Sequence, residues 1–282
     1  MQKILITGAS GFIGKSLFYY LKTKNEYSTF GTKNKNKRLN SKVKIPLKGK
    51  KILKCDLSIL SDVKIIINKI KPNIIFHFAA LADHKISEEN FKECVKNNST
   101  ITRNILKCIN KNTKLVFLSS DKIYSRNPNK SPEHTNLRPI GNLAKEKIKC
   151  EKIIKKKLNK YFILRLPIVH NNGIDPKNSL IDNFLQQLKQ KKRITIFKNI
   201  KRSFLKMNEF ILFLEKLILS KSYGIYNVGS KVSSYHDRIH ELAKLANIKT
   251  KNRIKGVLGK IEPKIQKLNT KKKNKKFNIV FS

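Results

Sequence analysis

The stretch Ile4-Leu5-Ile6-Thr7-Gly8-Ala9-Ser10-Gly11-Phe12-Ile13-Gly14 decides the fold of this 282-residue chain. Its apolar run over residues 4–6 is typical of a buried strand, and the apolar-rich residues 12–21 predict a helix. The first glycine permits a tight turn, the second omits the Cβ that would block a pyrophosphate, and the third lets the helix pack close to the strand. Free N–H groups at the helix start attract an anion. We therefore predict a dinucleotide site that includes Gly8, Gly11, Phe12, Ile13 and Gly14.

Beyond this turn, strand-like apolar runs alternate with longer helix-like segments. The runs Ile74-Ile75-Phe76 and Leu115-Val116-Phe117-Leu118 are apolar on both faces, as central strands of a parallel sheet require. The alternation predicts an α/β fold, a doubly wound parallel sheet covered by helices on both faces. After Pro167 the rhythm changes, and loops rich in Asn, Gly and Pro separate shorter elements. We predict a nucleotide-binding domain over 1–166, a smaller interleaved C-terminal lobe over 167–270, and a solvated basic tail over 271–282.

The chain is strongly basic, with 63 Lys and Arg residues against 18 Asp and Glu, a formal net charge of +45. The lysines are spread over every segment, and the chain is also rich in Asn and Ile, a combination that an AT-rich genome encodes. No nucleic-acid motif accompanies them, so no specific nucleic-acid partner is predicted. The alternative interpretation is attraction of a polyanion, either nucleic acid or a phosphorylated substrate.

Cysteine usage and the absence of long apolar runs indicate a cytoplasmic protein without a membrane span. The four cysteines at positions 55, 94, 108 and 150 are far apart and form no CxxC pair, which is typical of reduced thiols. No apolar run approaches the roughly 18 residues of a membrane span, and the N-terminus lacks a signal-peptide layout. The segment His236-Asp237-Arg238-Ile239-His240 places two imidazoles at i and i+4, but no third ligand is evident and no metal site is predicted.

Further motifs follow the glycine-rich loop in the order of a known family. They are Asp56-Leu57, His77-Phe78-Ala79-Ala80, Asn97 with Thr100 and Asn104, Ser119-Ser120-Asp121-Lys122-Ile123-Tyr124, Arg165-Leu166-Pro167 and Gly224-Ile225-Tyr226-Asn227-Val228-Gly229. Together they resemble the extended short-chain dehydrogenase/reductases that modify nucleotide sugars, from residue 1 to about 270. Ser120-Asp121 and Leu268-Asn269-Thr270-Lys271 are closest to dTDP-4-dehydrorhamnose reductases, and the general epimerase/dehydratase pattern fits almost as well.

The resemblance implies a Rossmann-type fold with a C-terminal substrate lobe, a nucleotide-sugar substrate and a set of site residues. The cofactor would contact the glycine-rich loop and Asp56, Leu57, Ala79, Ala80 and Asn97. Ser120 would bond the reacting sugar oxygen, and Arg202 in the segment Arg202-Ser203-Phe204 would meet the substrate diphosphate. A strand-end hydroxyl that caps the next turn and a surface arginine are the structural alternatives for these two residues. A homodimer through the helices at 88–109 and 143–158 would also follow the family.

The chain departs from the family at the catalytic tyrosine. The family pairs a Tyr acid/base with a Lys four residues later, and the best alignment places Leu143 and Lys147 at these positions. Lys147 can still hold the cofactor ribose, or it is one more solvated lysine. Because leucine cannot transfer a proton, three possibilities follow: turnover with another donor, a severely slowed enzyme, or an inactive NADP-binding regulatory or scaffolding homologue. Tyr124 is a poor replacement, since an aromatic residue is ordinary there.

Charge at the end of the second strand favours NADP over NAD, although NAD is possible. No Asp or Glu occurs between Glu26 and Asp56, so nothing there can grip a free ribose 2′-hydroxyl. A 2′-phosphate would instead find donors at Thr32, Lys33, Lys35 and Arg38.

Overall fold

A computed structural model describes residues 1–34, 51–124, 133, 137–171, 179–230, 232–259, 265–266, 268–277 and 279–281. The described strands are β1 (Gln2–Thr7), β2 (Tyr27–Lys33), β3 (Ile52–Lys54), β4 (Ile74–His77), β5 (Lys114–Ser120), β6 (Tyr161–Leu166), β7 (Ile168–His170), β8 (Ile194–Phe197), β9 (Lys201–Lys206), β10 (Gly224–Asn227), β11 (Val232–Ser234), β12 (Ile254–Val257) and β13 (Ile265–Gln266). The described helices are α1 (Phe12–Lys22), α2 (Leu60–Ile70), α3 (His84–Glu89), α4 (Phe91–Val95), α5 (Ile101–Cys108), α6 (Asn142–Lys157), α7 (Leu180–Lys189), α8 (Met207–Leu219), α9 (Tyr235–Leu245) and α10 (Lys271–Phe277).

A seven-stranded sheet with the order β10-β6-β5-β4-β1-β2-β3 confirms the predicted α/β class. Strand β1 pairs in parallel with β2 on one side and with β4 on the other, and β4 and β2 pair in parallel with β5 and β3. The strand order therefore reverses at β1. In doubly wound sheets a ligand crevice forms at the carboxyl ends of the strands at such a reversal.

The chain divides into two compact units that take alternating segments of sequence. The first unit comprises Met1–Ser119, Gly141–Ile163 and Leu217–Gly224, and the second comprises Ser120–Ile140, Leu164–Lys216 and Ile225–Ser282. All four residues of β4 are buried in the first unit, which explains why this strand is apolar on both faces. None of the described helices combines the length and the apolarity that crossing a bilayer requires.

The second unit contains smaller sheets around an apolar cluster. Strands β11 and β13 flank β9, β7 also pairs with β9, and β8 pairs in parallel with β12. Residues at helical spacing on α7 and α9 pack with β8 and β9 in this cluster. Its buried members are Ile181, Leu185, Leu188, Ile194, Ile196, Phe204, Ile239, Leu242 and Ala243.

The helix predicted over 88–109 is interrupted. The Asn90 side chain accepts a hydrogen bond from Glu93 N at 3.0 Å and starts a new helix, α4. A π-helical turn, Lys96–Thr100, then separates α4 from α5. Asn98 in this turn donates its side-chain amide to the Cys94 carbonyl, and Thr102 on α5 donates to the Asn98 carbonyl; such turns are frequent at functional sites.

The basic C-terminal segment is not fully solvated, contrary to the interpretation of its lysines as a solvated run. Residues 271–277 form α10, and Lys273 on this helix is buried with its Nζ 3.6 Å from the ring centroid of Phe281. Burial lowers the pKa of Lys273 to about 8. Phe277 makes edge contacts with the rings of Phe213 and Tyr226, so aromatic packing holds this lysine-rich helix in place.

Candidate functional site

A cavity of about 160 Å³ in the first unit opens where β1, β2, β3 and β4 end. It combines the glycine-rich turn with the turns after the neighbouring strands. The lining residues are Gly8, Ser10, Gly11, Thr32, Asn34, Cys55, Asp56, Leu57, Phe78, Ala79, Ala80, Asn97 and Ile101. Seven of the predicted cofactor residues are among them: Gly8, Gly11, Asp56, Leu57, Ala79, Ala80 and Asn97.

The glycine-rich turn requires glycine at two positions. Gly8 has a φ of +70°, and a Cβ there would lie 2.8 Å from the backbone nitrogen of Ala79. A Cβ on Gly14 would lie only 2.3 Å from the carbonyl oxygen of Gly8. Helix α1 can therefore approach the strand end only because both side chains are hydrogen atoms.

The start of α1 suits an anion. Its N-cap, Gly11, has no side chain to bond the first-turn N–H groups, and the first turn carries no acidic residue. Phe12, Ile13 and Gly14 supply these N–H groups behind Gly11, although they are not among the described lining residues. The arrangement fits a dinucleotide pyrophosphate, which needs N–H donors and no competing carboxylate.

A buried chain of hydrogen bonds holds the wall opposite the glycines. Thr7 Oγ1 accepts hydrogen bonds from the backbone nitrogens of Phe78 and Ala79, each at 3.1 Å. Its own hydrogen is then left for His77 Nδ1, 3.0 Å away, so the imidazole carries its hydrogen on Nε2 and donates to Thr102 Oγ1 at 3.1 Å. Burial and the charge of Lys147 lower the pKa of His77 to about 3. His77 is thus a neutral residue that connects Thr7 to Thr102.

The turn after β3 fixes an acid at the cavity. Asp56 is buried, and its Oδ1 accepts hydrogen bonds from Ser58 N at 3.0 Å and from Ser58 Oγ at 2.6 Å. Asn104 Nδ2 donates to the carbonyl oxygens of Leu57 and Ser58 from α5. Both motif residues, Asp56 and Asn104, therefore shape one wall.

The end of β2 contributes polar groups but no acid within its described residues. Thr32 and Asn34 line the cavity, whereas the intervening Lys33 is not among the described lining residues, because successive side chains of a strand alternate between its faces. Lys35 and Arg38, the other two predicted donors, lie outside the described residues.

Asn97 lines the cavity from the π-helical turn. Its Nδ2 donates to the carbonyl oxygen of Glu93 and to the Glu93 side chain, which fixes the orientation of the amide. Five lining residues were not predicted from the sequence: Ser10, Asn34, Cys55, Phe78 and Ile101. Each lies within four residues of a predicted one, so its proximity to a motif was the sequence feature that could have identified it.

Helix α6 presents Leu143 and Lys147 one turn apart, and both side chains are buried. Lys147 Nζ donates to the Leu118 carbonyl oxygen at 2.9 Å and lies 4.9 Å from the ring centroid of Phe117. Burial lowers the pKa of Lys147. Lys147 is therefore a held, buried lysine rather than a solvated one, while Leu143 offers only hydrocarbon.

Ser120 belongs to the second unit, where β5 ends. Its Oγ donates a hydrogen bond to Asp121 Oδ1 at 3.4 Å and accepts one from Lys122 N at 3.2 Å. Burial raises the pKa of Asp121 to about 6, against the opposing charges of Arg202 and Lys122 and the Ser120 hydrogen bond. A hydroxyl and a protonatable carboxyl are thus joined at the position predicted to meet the substrate.

Arg202 lies on β9 in the second unit and is partly buried. Its Nη1 donates to the Lys201 carbonyl oxygen at 2.8 Å. Its charge lowers the pKa values of both Asp121 and Tyr235, while burial raises them. The guanidinium therefore acts on the same cluster as Ser120 and Asp121.

Tyr124 is engaged elsewhere in the second unit. Its hydroxyl donates to Asn227 Oδ1 at 3.0 Å and accepts from Arg165 Nη1, whose guanidinium carbon also lies 5.1 Å from the ring centroid. The phenol is a buried structural group and is not available as a replacement acid.

The parallel sheet, its glycine-rich turn and the open helix start define a dinucleotide-binding protein of the Rossmann class. Residues 4–229 match the model of the NAD dependent epimerase/dehydratase family, which is most of the chain. The chain therefore belongs to this family.

Two curated relatives agree with this assignment. GDP-6-deoxy-D-talose 4-dehydrogenase from Aggregatibacter actinomycetemcomitans is 36% identical over 80 residues, which cover 28% of this chain and 21% of that protein. dTDP-D-glucose 4,6-dehydratase from Dictyostelium discoideum is 27% identical over 269 residues, which cover 82% of this chain and 58% of that protein. The chain thus spans less than two thirds of the length of either relative.

A solved structure shares the fold over the whole chain. The crystal structure of dTDP-4-dehydrorhamnose reductase from Bacillus anthracis, in complex with NADP, superposes with a TM-score of 0.83 at 23% sequence identity. The match covers 100% of this chain and 94% of that chain.

Proposed function

We propose that this protein is a nucleotide-sugar reductase or epimerase that prefers NADP(H) and moves a hydride between nicotinamide and a sugar carbon. The observation that carries the proposal is the cavity at the strand ends, where Gly8 and Gly11 leave room that Asp56 and Asn97 flank. When bound, the nicotinamide cofactor supplies or accepts the hydride. Family membership and the NADP in the Bacillus anthracis reductase structure support this chemistry.

The preference for NADP rests on the end of β2. Thr32 and Asn34 line the cavity there, and the described part of this strand end carries no carboxylate. A carboxylate would bond a free ribose 2′-hydroxyl and repel a 2′-phosphate. Hydroxyl and amide groups in basic surroundings can instead donate hydrogen bonds to the 2′-phosphate.

The chain's own residues take four roles in this proposal. The N–H groups at the start of α1 bind the pyrophosphate, and Lys147, with its amine already oriented by the Leu118 carbonyl, holds the ribose. Ser120 bonds the sugar oxygen whose protonation changes, and Arg202 binds the diphosphate of the nucleotide sugar. Leu143 takes no part in proton transfer.

A second candidate is a regulatory or scaffolding homologue that binds NADP without turnover. Leu143 supports it, because this buried leucine stands at the position that the motif alignment assigns to the acid/base tyrosine. Loss of a positioned acid or base typically costs about 100- to 10,000-fold in rate. In this case the cofactor site would be kept for binding alone.

The test measures binding and turnover separately. NADPH and NADH affinities are determined by titration, and a panel of keto- and hydroxy-nucleotide sugars is assayed with the wild type, Leu143→Tyr and Leu143→Phe. The phenylalanine variant controls for ring size, because it differs from the tyrosine variant only in the hydroxyl. Wild-type turnover with tighter NADPH than NADH binding is the expected result.

Two other outcomes separate the candidates. Tight NADPH binding with no turnover until Leu143→Tyr restores it would favour the binding protein over the enzyme. Failure to bind either dinucleotide would overturn both candidates.

A further inference from the structure

An enzyme with leucine at position 143 needs another proton donor, and in the second unit a buried carboxyl, Asp121, lies next to Ser120. We propose that Asp121 supplies the proton through Ser120, in place of the missing tyrosine. This inference rests on the proposed function. It assigns Asp121 as the proton donor behind Ser120 and leaves Ser120 as the group that touches the substrate.

The hydrogen-bond inventory of Ser120 permits this relay. A hydroxyl oxygen has one hydrogen and two lone pairs. Lys122 N donates to one lone pair at 3.2 Å, and Asp121 Oδ1 lies 3.4 Å from the same oxygen. In the structure Ser120 Oγ donates to Asp121 Oδ1. When Asp121 is protonated this bond can reverse, so that Asp121 donates to the second lone pair and the Ser120 hydrogen points to a substrate oxygen.

The surroundings of Asp121 place its titration in the range of a general acid. Burial raises its pKa to about 6, and the charges of Arg202 on β9 and Lys122 in the adjoining turn keep it from rising further. Tyr235 at the start of α9 also senses Asp121, whose negative charge raises the pKa of the phenol. A carboxyl of ordinary pKa, about 4, would hold almost no proton at neutral pH.

Two tyrosines of the second unit fit less well as proton donors. The Tyr124 hydroxyl bonds Asn227 and Arg165 and is buried with them. Tyr235 packs its ring edge against Phe204, and burial raises its pKa, so its proton is held more tightly than that of the carboxyl. Asp121 is also the group with a direct contact to Ser120.

The step balances for reduction of a ketone. A hydride adds to the carbonyl carbon, the carbon–oxygen π pair moves to the oxygen, and this oxygen takes the proton of Ser120. Ser120 takes the carboxyl proton of Asp121, which is left as a carboxylate and regains a proton from water. In the oxidative direction each transfer is reversed.

The first test is spectroscopic and needs no turnover. Aspartate carboxyl carbons are labelled with ¹³C, and their resonances are followed against pH by NMR in the wild type and in Asp121→Asn, which assigns the signal. We expect a resonance with a pKa near 6 that is missing from the variant. A wild-type Asp121 that titrates near pH 4 would overturn the inference.

The second test uses the ketone substrate that the wild type reduces. We expect Asp121→Asn to lower kcat roughly 100-fold or more while the NADPH affinity, which depends on the first unit, stays unchanged. Asp121→Glu keeps the carboxyl and should retain part of the rate, and Tyr235→Phe is the matched control that should retain nearly all of it. The wild-type kcat should fall as pH rises through about 6, because the acid form is the donor.

A double variant distinguishes the donor from a structural residue. Leu143→Tyr should restore turnover in the Asp121→Asn background, since the tyrosine supplies the proton again. Full turnover in Asp121→Asn, or its loss in Tyr235→Phe instead, would overturn the inference and leave the proposed function standing. A wild type that binds NADPH but turns over no sugar would overturn the proposed function, and the donor role with it.

Discussion

Two helices of the first unit, α1 and α6, begin in the same way and are used differently. Each has a glycine as N-cap, Gly11 and Gly141, without a side-chain cap, and neither carries an acid in its first turn. At α6 a carboxylate arrives from α3, because Glu88 Oε1 accepts a hydrogen bond from Asn142 N at 2.6 Å. At α1 the N-cap Gly11 itself lines the cavity, and the first-turn N–H groups follow directly after it.

This difference indicates that the start of α1 is a ligand-binding site, whereas the start of α6 is a structural contact within the protein. Orphan N–H groups at a helix start need an acceptor, which is a protein side chain, water or a ligand. At α6 the protein supplies the acceptor, and the helix that carries Leu143 and Lys147 is held in place. At α1 the acceptor is left to the ligand, which fits the binding of a pyrophosphate.

The largest effect is expected from Gly14→Ala in α1. Alanine for glycine inside a helix ordinarily stabilises it by about 1 kcal/mol. Here the new Cβ would lie 2.3 Å from the Gly8 carbonyl oxygen, so the turn must move. We expect roughly 1–3 kcal/mol or more of lost stability and no measurable NADPH binding, from denaturant melts and titration. Lys15→Ala on the same helix is the control. If the two variants had the same stability and the same NADPH affinity, the close contact between Gly14 and the Gly8 carbonyl would be contradicted.

Gly11→Asp should remove the difference between the two helix starts, because it gives α1 a carboxylate like the one that Glu88 supplies at α6. A Cβ at this position would lie 3.3 Å from the Gly8 carbonyl oxygen, which a small shift relieves. Aspartate is a good N-cap, so stability should hold, while NADPH binding weakens by about 100-fold because the carboxylate takes the place of the phosphate. Gly11→Asn has the same size without the charge; its Cβ also crowds the pyrophosphate, so it should lose affinity too, but less than Gly11→Asp. Equal losses in the two variants would show that size, not charge, decides.

The open helix start could be predicted from the sequence, and the filled one could not. The turn from β1 to α1 is encoded in consecutive residues, Asp56 and Ala79 follow strand ends, and Asn97 comes next in the order of the motifs. Glu88 and Asn142 are 54 positions apart, and an exposed glutamate in a helix has no pattern that marks its partner. Contacts between distant segments depend on how the helices pack.

The structural roles of the lysines also could not be predicted from the sequence. In so basic a chain the sequence does not distinguish Lys147, bonded to the Leu118 carbonyl, or Lys273, buried against Phe281, from solvated neighbours. The alternation of side chains along a strand, in contrast, could have predicted that Lys33 faces away from the side on which Thr32 and Asn34 lie. The acid Asp121 was visible in its motif, but its burial and its contact with Ser120 appear only in three dimensions.

A smaller effect is expected from the buried chain that supports the α1 site. His77 is neutral in the folded protein because its pKa is about 3, whereas the unfolded chain binds a proton below pH 6.5. The unfolded state thus binds more protons between these values, and stability falls as pH falls. We expect a loss of about 2 kcal/mol between pH 7 and pH 5 from this residue. In His77→Gln, which keeps a donor and an acceptor, this pH dependence of the free energy of unfolding should disappear when it is measured by urea melts. The same pH dependence in the wild type and the variant would contradict the prediction.

The smallest effect is expected where α6 begins. Glu88→Gln removes the charge that Asn142 N meets, and Glu88 is exposed, so we expect a loss of about 0.5–1 kcal/mol in urea melts. Glu89→Gln is the matched control, because Glu89 forms an exposed pair with Lys85 at 3.8 Å and should lose less. NADPH affinity should not change in either variant, since the acceptor at α6 belongs to the protein. A strong loss of affinity in Glu88→Gln alone would mean that this helix start also serves the ligand, and the contrast between the two helices would then fail.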